Sequence, residues 1–115
     1  MSDYTFKQHE TFVELVFDGD VTIEQSFMFK DDIKEKLTGI ESPRVMVDLT
    51  EVGFMDSSGL GMLISFFKEV TEQQGEIVYF GVQSYVKKLL GLVKLDQVFK
   101  ICDSRDDALR LLKIT

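Results

Sequence analysis

Apolar residues along this chain repeat with two periods in turn, every second residue and then every third or fourth, and that alternation restricts the fold more than any other feature. In "TFVELVF", residues 11–17, Val13, Leu15 and Phe17 fall on one face and Phe12, Glu14 and Val16 on the other. One face is wholly apolar, the pattern of a strand with a buried side. "DGD" at 18–20 signals a turn, and an earlier strand around Tyr4 to Lys7 joins through a polar turn near His9. From about Glu24 to Leu37 the period lengthens. Ile23, Phe27, Met28, Ile33 and Leu37 approximate a helical stripe, Gly39 is a plausible C-cap and Pro43 bars continuation. "RVMVDLT", residues 44–50, is strand-like again. Leu60, Leu63, Ile64, Phe67 and Val70 then make a strong amphipathic helix that Gly75 ends. "EIVYFGV" at 76–82 predicts a strand, and Ser84 a cap for a short helix carrying Val86, Leu89, Leu90 and Val93. "QVFKI" at 97–101 predicts a brief strand, and Ser104 with Asp107 a capping pair before Ala108, Leu109 and Leu112.

Two strands followed by alternating helices and strands predict an α/β fold. The sheet is mixed and mostly parallel, of four or five strands, with an antiparallel hairpin at its start and four helices. A chain of 115 residues suits one domain, expected to take in residues 1–115. Crossovers of one hand between neighbouring strands stack their helices on one face of the sheet. The central strands are nevertheless apolar on much of both faces, so something else must cover the second.

Charge and residue counts exclude several functions. With 20 acids against 13 bases the formal charge is −7, a field that repels nucleic-acid phosphates and anionic membranes and suits protein partners with basic patches. No apolar run approaches the roughly 20 residues of a membrane span, and "MSDYTFKQHE" lacks the basic and apolar regions of a secretory signal. Cys102 is alone, which fits a reducing, cytoplasmic setting and reads as a small buried hydrophobe. With one histidine, His9, and one cysteine, neither a zinc set nor a hydrolytic triad is easily built. No metal or cofactor is expected, and the chain is not expected to be an enzyme.

The segment that calls for explanation is "VGFMDSSGLGML", residues 52–63. It sits between a strand and the best-defined helix. Asp56 would favour the positive end of that helix, and Ser57 or Ser58 can cap it. One hydroxyl suffices for a cap, so a second is spare. Gly59 and Gly61 lack the third glycine and the lysine of a phosphate loop. They more simply allow the helix start to approach a strand or partner closely. Met62 and Phe66, four apart, form a second apolar row beside the core stripe. Either the helix is central and buried nearly all round, or this row is an exposed patch that marks a protein-binding site.

"VDLTEVGFMDSSGLGMLISFFKEV", residues 47–70, resembles the signature of anti-sigma-factor antagonists, the free-standing members of the STAS domain family. "FDGDVT" (17–22) resembles the family's turn after the second strand, and "VKKLLGLVKLDQVFKICDSRDDAL" (86–109) its C-terminal third. The resemblance implies that Ser57 is phosphorylated by a serine kinase of the GHKL ATPase type that is also an anti-sigma factor. It further implies that Ser58 supports that position and that a phosphatase reverses the modification. The partner surface would comprise Asp56, Ser57, Ser58, Gly59, Met62 and Phe66 with Asp20 and Thr22 of the early turn. Thr22 stands where the family commonly has a second acid. Phosphorylation adds roughly 1.5 to 2 negative charges to a neutral hydroxyl, and a penalty of about 3 kcal/mol lowers affinity more than a hundredfold. Two other readings follow from the family: a constitutive STAS subunit of a lipid-transport or other complex, and a module that senses a nucleotide or small ligand.

Overall fold

The computed structural model describes residues 3–114. Met1, Ser2 and Thr115 lie outside the described residues, so the expected domain is followed only from Asp3 to Ile114. Strand β1 (Asp3–Gln8) pairs antiparallel with β2 (Val13–Asp18). Strands β3 (Arg44–Glu51), β4 (Glu76–Phe80) and β5 (Lys100–Cys102) add to β2 in parallel and in chain order, giving five strands in one sheet. Helices α1 (Ile23–Thr38), α2 (Ser57–Glu72) and α3 (Ser84–Leu92) connect the parallel strands, and α4 (Arg105–Leu111) follows the last one. The predicted order of strands and helices is the observed one.

Pairing register explains why the helix-bearing face is continuous. Phe6, Leu15, Val47, Tyr79 and Ile101 lie side by side across all five strands. Every crossover joins neighbouring parallel strands with the same hand, so α1, α2 and α3 fall on this face. The next row, Lys7, Glu14, Met46, Val78 and Lys100, points the other way. Its apolar middle is covered by α4. After β5 no further strand remains to be joined, and Ala108 and Leu112 close over Met46, Val78 and Phe80. That is the cover the apolar second face requires.

Three local expectations are corrected. The predicted α1 stripe is rotated: Ser26, Phe29, Ile33 and Leu37 are buried, whereas Ile23, Phe27 and Met28 are exposed, Phe27 at 89 %. Phe29, Ile33 and Leu37 form an unbroken i, i+4 row, and Phe29 meets the ring of Tyr4 edge-on at 5.0 Å. Once that row is seated, Ile23 and Phe27 lie on the neighbouring face. The start of α3 is capped at Gln83, and Ser84 is its first helical residue with no capping bond. The segment predicted as a strand from Gln97 instead completes a 3₁₀ turn, Leu95–Gln97, and β5 begins only at Lys100. Leu95 accepts from both the Val98 and Phe99 N–H groups there, which winds the chain away from the ladder.

The polar edge of the second face carries a built ion pair. Glu14 is 7 % exposed. Arg105 of α4 donates through Nε to Oε2 at 3.1 Å and through Nη2 to Oε1 at 3.2 Å, and His9 Nε2 lies 3.0 Å from the same Oε1. The Arg105 hydrogen bonds hold the Glu14 carboxyl below the usual carboxylate range, against the opposing effect of burial. His9, stacked on Phe12 with ring centroids 4.3 Å apart, belongs to this anchor. Cys102 packs at the edge of the α4 core; burial, then Asp107, raises its thiol pKa, so it behaves as a small hydrophobe.

A carboxyl whose folded-state pKa is depressed stabilises the fold above its unfolded value, and that contribution disappears as pH falls through the folded value. Arg105→Ala leaves a buried carboxylate without two donors and should cost about 1–3 kcal/mol at pH 7. The cost should shrink well below the ordinary glutamate pKa of about 4.3. Urea unfolding of wild type and variant at pH 7 and pH 3 measures both. An equal cost at the two pH values would remove Glu14 as the origin.

Candidate functional site

Two helices start side by side at the carboxyl ends of β2 and β3, and their starts are laced together. The loop before α1 and the loop before α2 form a parallel bridge, Val21 to Met55. Val21 donates to the Phe54 carbonyl at 3.1 Å, and Asp56 N–H to the Val21 carbonyl at 3.3 Å. Asp56 is the N-cap of α2. Its Oδ1 accepts from Gly59 N–H at 3.0 Å, and its Oδ2 accepts from Ile23 N–H, the first residue of α1, at 3.1 Å. One carboxylate thus serves two helix N-termini, whose exposed N–H groups and aligned dipoles favour a negative charge there.

This corrects the expected cap. Neither serine caps α2, because Asp56 precedes them and takes the bond. Ser57 is exposed and Ser58 half-buried, and among the described residues neither hydroxyl has a hydrogen-bond partner. Both are spare. Thr22 is half-buried and committed: its N–H and its hydroxyl both donate to Gln25 Oε1, at 3.0 and 2.6 Å. It caps α1, and its position in the early turn is explained by that. Asp20 is exposed at the same end of the sheet.

Gly59 and Gly61 differ sharply. A Cβ on Gly59 would lie 2.4 Å from Met55 Cγ and 2.6 Å from the Val21 carbonyl oxygen, so the helix start presses directly on the neighbouring loop. A Cβ on Gly61 would meet nothing within 4 Å.

The second apolar row is not a surface. Met62 is 1 % exposed and Phe66 0 %, which corrects their place among the expected partner contacts. Helix α1 lies alongside α2 and encloses the row, and Phe66 stacks on Phe17 of β2 with ring planes 7° apart. Helix α2 is therefore central, its exposed residues confined to one strip through Ser57, Gly61, Lys68 and Glu72.

Exposed apolar groups lie instead on α1, at Ile23, Phe27 and Met28. An open cleft of about 310 Å³ runs between that helix and the first turns of α2, lined by Ile23, Ser26, Phe27, Lys30, Ser58, Gly61 and Met62. Ser26 is 7 % exposed and its Oγ has no partner among the described residues, a deficit worth about 1–3 kcal/mol. Phe54 and Tyr85 add an exposed ring pair, centroids 5.1 Å apart, where β3 and α3 meet the same end. The uninterrupted Phe29–Ile33–Leu37 row was the sequence signal that would have left Ile23 and Phe27 outside.

Comparison with known proteins agrees with this architecture. The family model described as STAS domain matches residues 3–108. The chain belongs to the STAS domain family. An anti-sigma F factor antagonist of Paenibacillus polymyxa is 27 % identical over 96 residues, covering 84 % of this chain and 82 % of that protein. An anti-sigma-B factor antagonist of Listeria monocytogenes is 38 % identical over 55 residues, so the match takes in about half of each chain, 48 %. The crystal structure of an anti-sigma factor antagonist from Mycobacterium paratuberculosis superposes with a TM-score of 0.85 at 19 % identity, covering 98 % of this chain and 95 % of that one. The last shares the fold.

In this STAS domain no helix among the described residues is long and apolar enough to cross a membrane. Among them, no three His, Cys, Asp or Glu side chains are grouped to hold a metal ion.

The two glycines should respond oppositely to the same substitution. Gly59→Ala meets backbone that cannot yield and should destabilise the fold by about 1–3 kcal/mol. Gly61→Ala removes a helix-interior glycine at no steric cost and should stabilise it by about 0.5–1 kcal/mol. Thermal and urea unfolding of the two variants decide this; a stabilised Gly59→Ala would contradict the close packing of the two loops.

Proposed function

We propose that this STAS domain is a phosphorylatable anti-sigma-factor antagonist in a partner-switching circuit. In the unmodified state it binds an anti-sigma factor that is also a serine kinase of the GHKL ATPase type, and the kinase releases its client. Phosphorylation of Ser57 ends that binding, and a phosphatase restores it. The observation that carries this reading is the state of Ser57: exposed, without a hydrogen-bond partner among the described residues, and adjacent to a cap that does not need it. The names of the relatives support the class of partner.

The transfer itself belongs to the kinase. Ser57 Oγ attacks the γ-phosphorus of magnesium-bound ATP, its proton passes to a base of the kinase, and ADP leaves. What this chain supplies is placement. Gly59 N–H is already taken by Asp56, so the helix start is partly neutralised before any phosphate arrives. A phosphate on Ser57 adds roughly 1.5 to 2 negative charges beside the Asp56 carboxylate. In the free protein, water screens that repulsion. Under a partner, the phosphate must lose water while facing a like charge, and binding weakens.

Ser57→Ala should bind the kinase like wild type and stay unmodified in an intact-mass spectrum after incubation with ATP and magnesium. Phosphorylated wild type should bind more than a hundredfold more weakly, the equivalent of about 3 kcal/mol, and Ser57→Asp should fall between. Calorimetry against GHKL-type serine kinases of the source organism measures this. Equal affinity of phosphorylated and unmodified protein sinks the proposal.

A further inference from the structure

We infer that the cleft between α1 and the first turns of α2 is a socket for one apolar side chain of the kinase partner, carried on a positively charged element, and that Gly61 keeps the socket open. The inference rests on the partner-switching reading of Ser57 and adds where the partner anchors.

Four observations converge. Gly61 lies in a helix where glycine is disfavoured, and a Cβ there would meet nothing within 4 Å among the described residues. The fold has no steric need of this glycine; the cleft that it lines has one. Ser26 is a buried side chain with an unpartnered hydroxyl that opens onto the same cleft. Buried polar groups are nearly always satisfied, so the hydroxyl awaits an acceptor such as a backbone carbonyl of whatever enters. Ile23 and Phe27 form an exposed apolar rim, of the kind that surrounds interface anchors, with the half-buried Ser58 on the opposite wall. Lys30 is the one charged side chain lining the cleft, Asp31 lines the adjoining hollow with Phe27 and Lys30, and Glu24 and Asp31 of α1 are both exposed. In a chain of net charge −7 this favours a partner surface bearing lysine or arginine.

The size and shape select the occupant. At about 310 Å³ and open to one side, the cleft is at the lower end of the roughly 300–1,000 Å³ of enclosed ligand pockets. It holds an inserted side chain better than a nucleotide or an acyl chain. Its position beside Ser57 and Ser58 also gives the anchor a role in the switch. A kinase seated in the socket holds the Ser57 hydroxyl at a fixed place for transfer. The phosphate then appears at the edge of the seated surface.

Gly61→Leu fills the socket from its floor, branching from a Cβ that meets nothing within 4 Å. Its melting temperature should equal or exceed that of wild type, while affinity for the GHKL-type kinase falls at least tenfold and the rate of Ser57 phosphorylation falls with it. Phe27→Ala, at a position 89 % exposed, should also leave the melting temperature unchanged and weaken binding severalfold. Calorimetry, phosphorylation rates and thermal unfolding are measured on the full chain. If wild type binds and phosphorylation releases it, but Gly61→Leu binds within twofold of wild type, the socket is wrong and the phosphorylation reading survives. If phosphorylation does not alter binding, that reading fails with the inference that rests on it. A shift of the free chain from dimer to monomer in Gly61→Leu, seen by sedimentation, would overturn the inference in favour of a second copy as occupant. A small apolar molecule lost from the native mass spectrum of that variant would overturn it in favour of a bound metabolite.

Discussion

The Asp56 carboxylate, shared between the N-termini of α1 and α2, is the interaction on which the functional end of this molecule depends. Each helix start needs an acceptor for its unpaired N–H groups. Supplying both from one side chain forces the two starts to lie within hydrogen-bond reach of the same group. The Val21–Met55 bridge and the contact of Gly59 with Val21 follow from that closeness. A side chain at position 59 would push the helices apart. With Asp56 occupied as the cap, the serines after it are released from structural duty.

That lacing also decides what is buried. Once α1 is held at the start of α2, it runs alongside it over the same face of the sheet, and the row of Met62 and Phe66 is enclosed between them. The same placement turns Ile23 and Phe27 outward. Ile23 and Phe27 are therefore exposed on α1 because α2 is central, and the cleft beside Ser58 is the seam between them. At the far side of the sheet, α4 is fixed by a different device. Arg105 bridges to buried Glu14 on β2, so the last helix is tied to the second strand across the sheet. The two faces are thus secured separately, one by a shared cap and apolar packing, the other by apolar packing and an ion pair.

Much of this was legible in the residues. Alternating periods give the element order, and one-handed crossovers between neighbouring strands give the three-helix face. The signature around Asp56 points to the family and to the position of the two serines. Three things were hidden for physical reasons. A side-chain cap depends on which residue stands in extended backbone just before the helix, and Asp56, Ser57 and Ser58 are all competent caps by type. The inward face of α1 could be drawn through Ile23 and Phe27 or through Phe29, since both contain apolar residues at helical spacing; Tyr4 and Phe17 of neighbouring strands decide it. The Glu14–Arg105 pair joins residues 91 apart in sequence, and nothing in local pattern announces a contact at that range.

A further consequence concerns how a modification at this site can act at all. The inward face of helix α2, Leu60, Met62, Leu63, Phe66 and Val70, is packed in well-filled core, and such cores do not deform smoothly to accommodate a new group. Helix α1 is tied to it by Asp56 and by the row of Met62 and Phe66. Little slack exists for a phosphate on Ser57 to reorganise the fold, and an exposed side chain needs none, since it can point to water. On the partner-switching reading, the signal therefore resides in the charge presented at the surface. The fold serves as a rigid mount. Speed and reversibility would follow on that reading, because adding or removing the phosphate would require no refolding step. On the same reading, the energy that separates the two states is spent only when a partner excludes water from them, which would make the partner's approach the step that reads the switch.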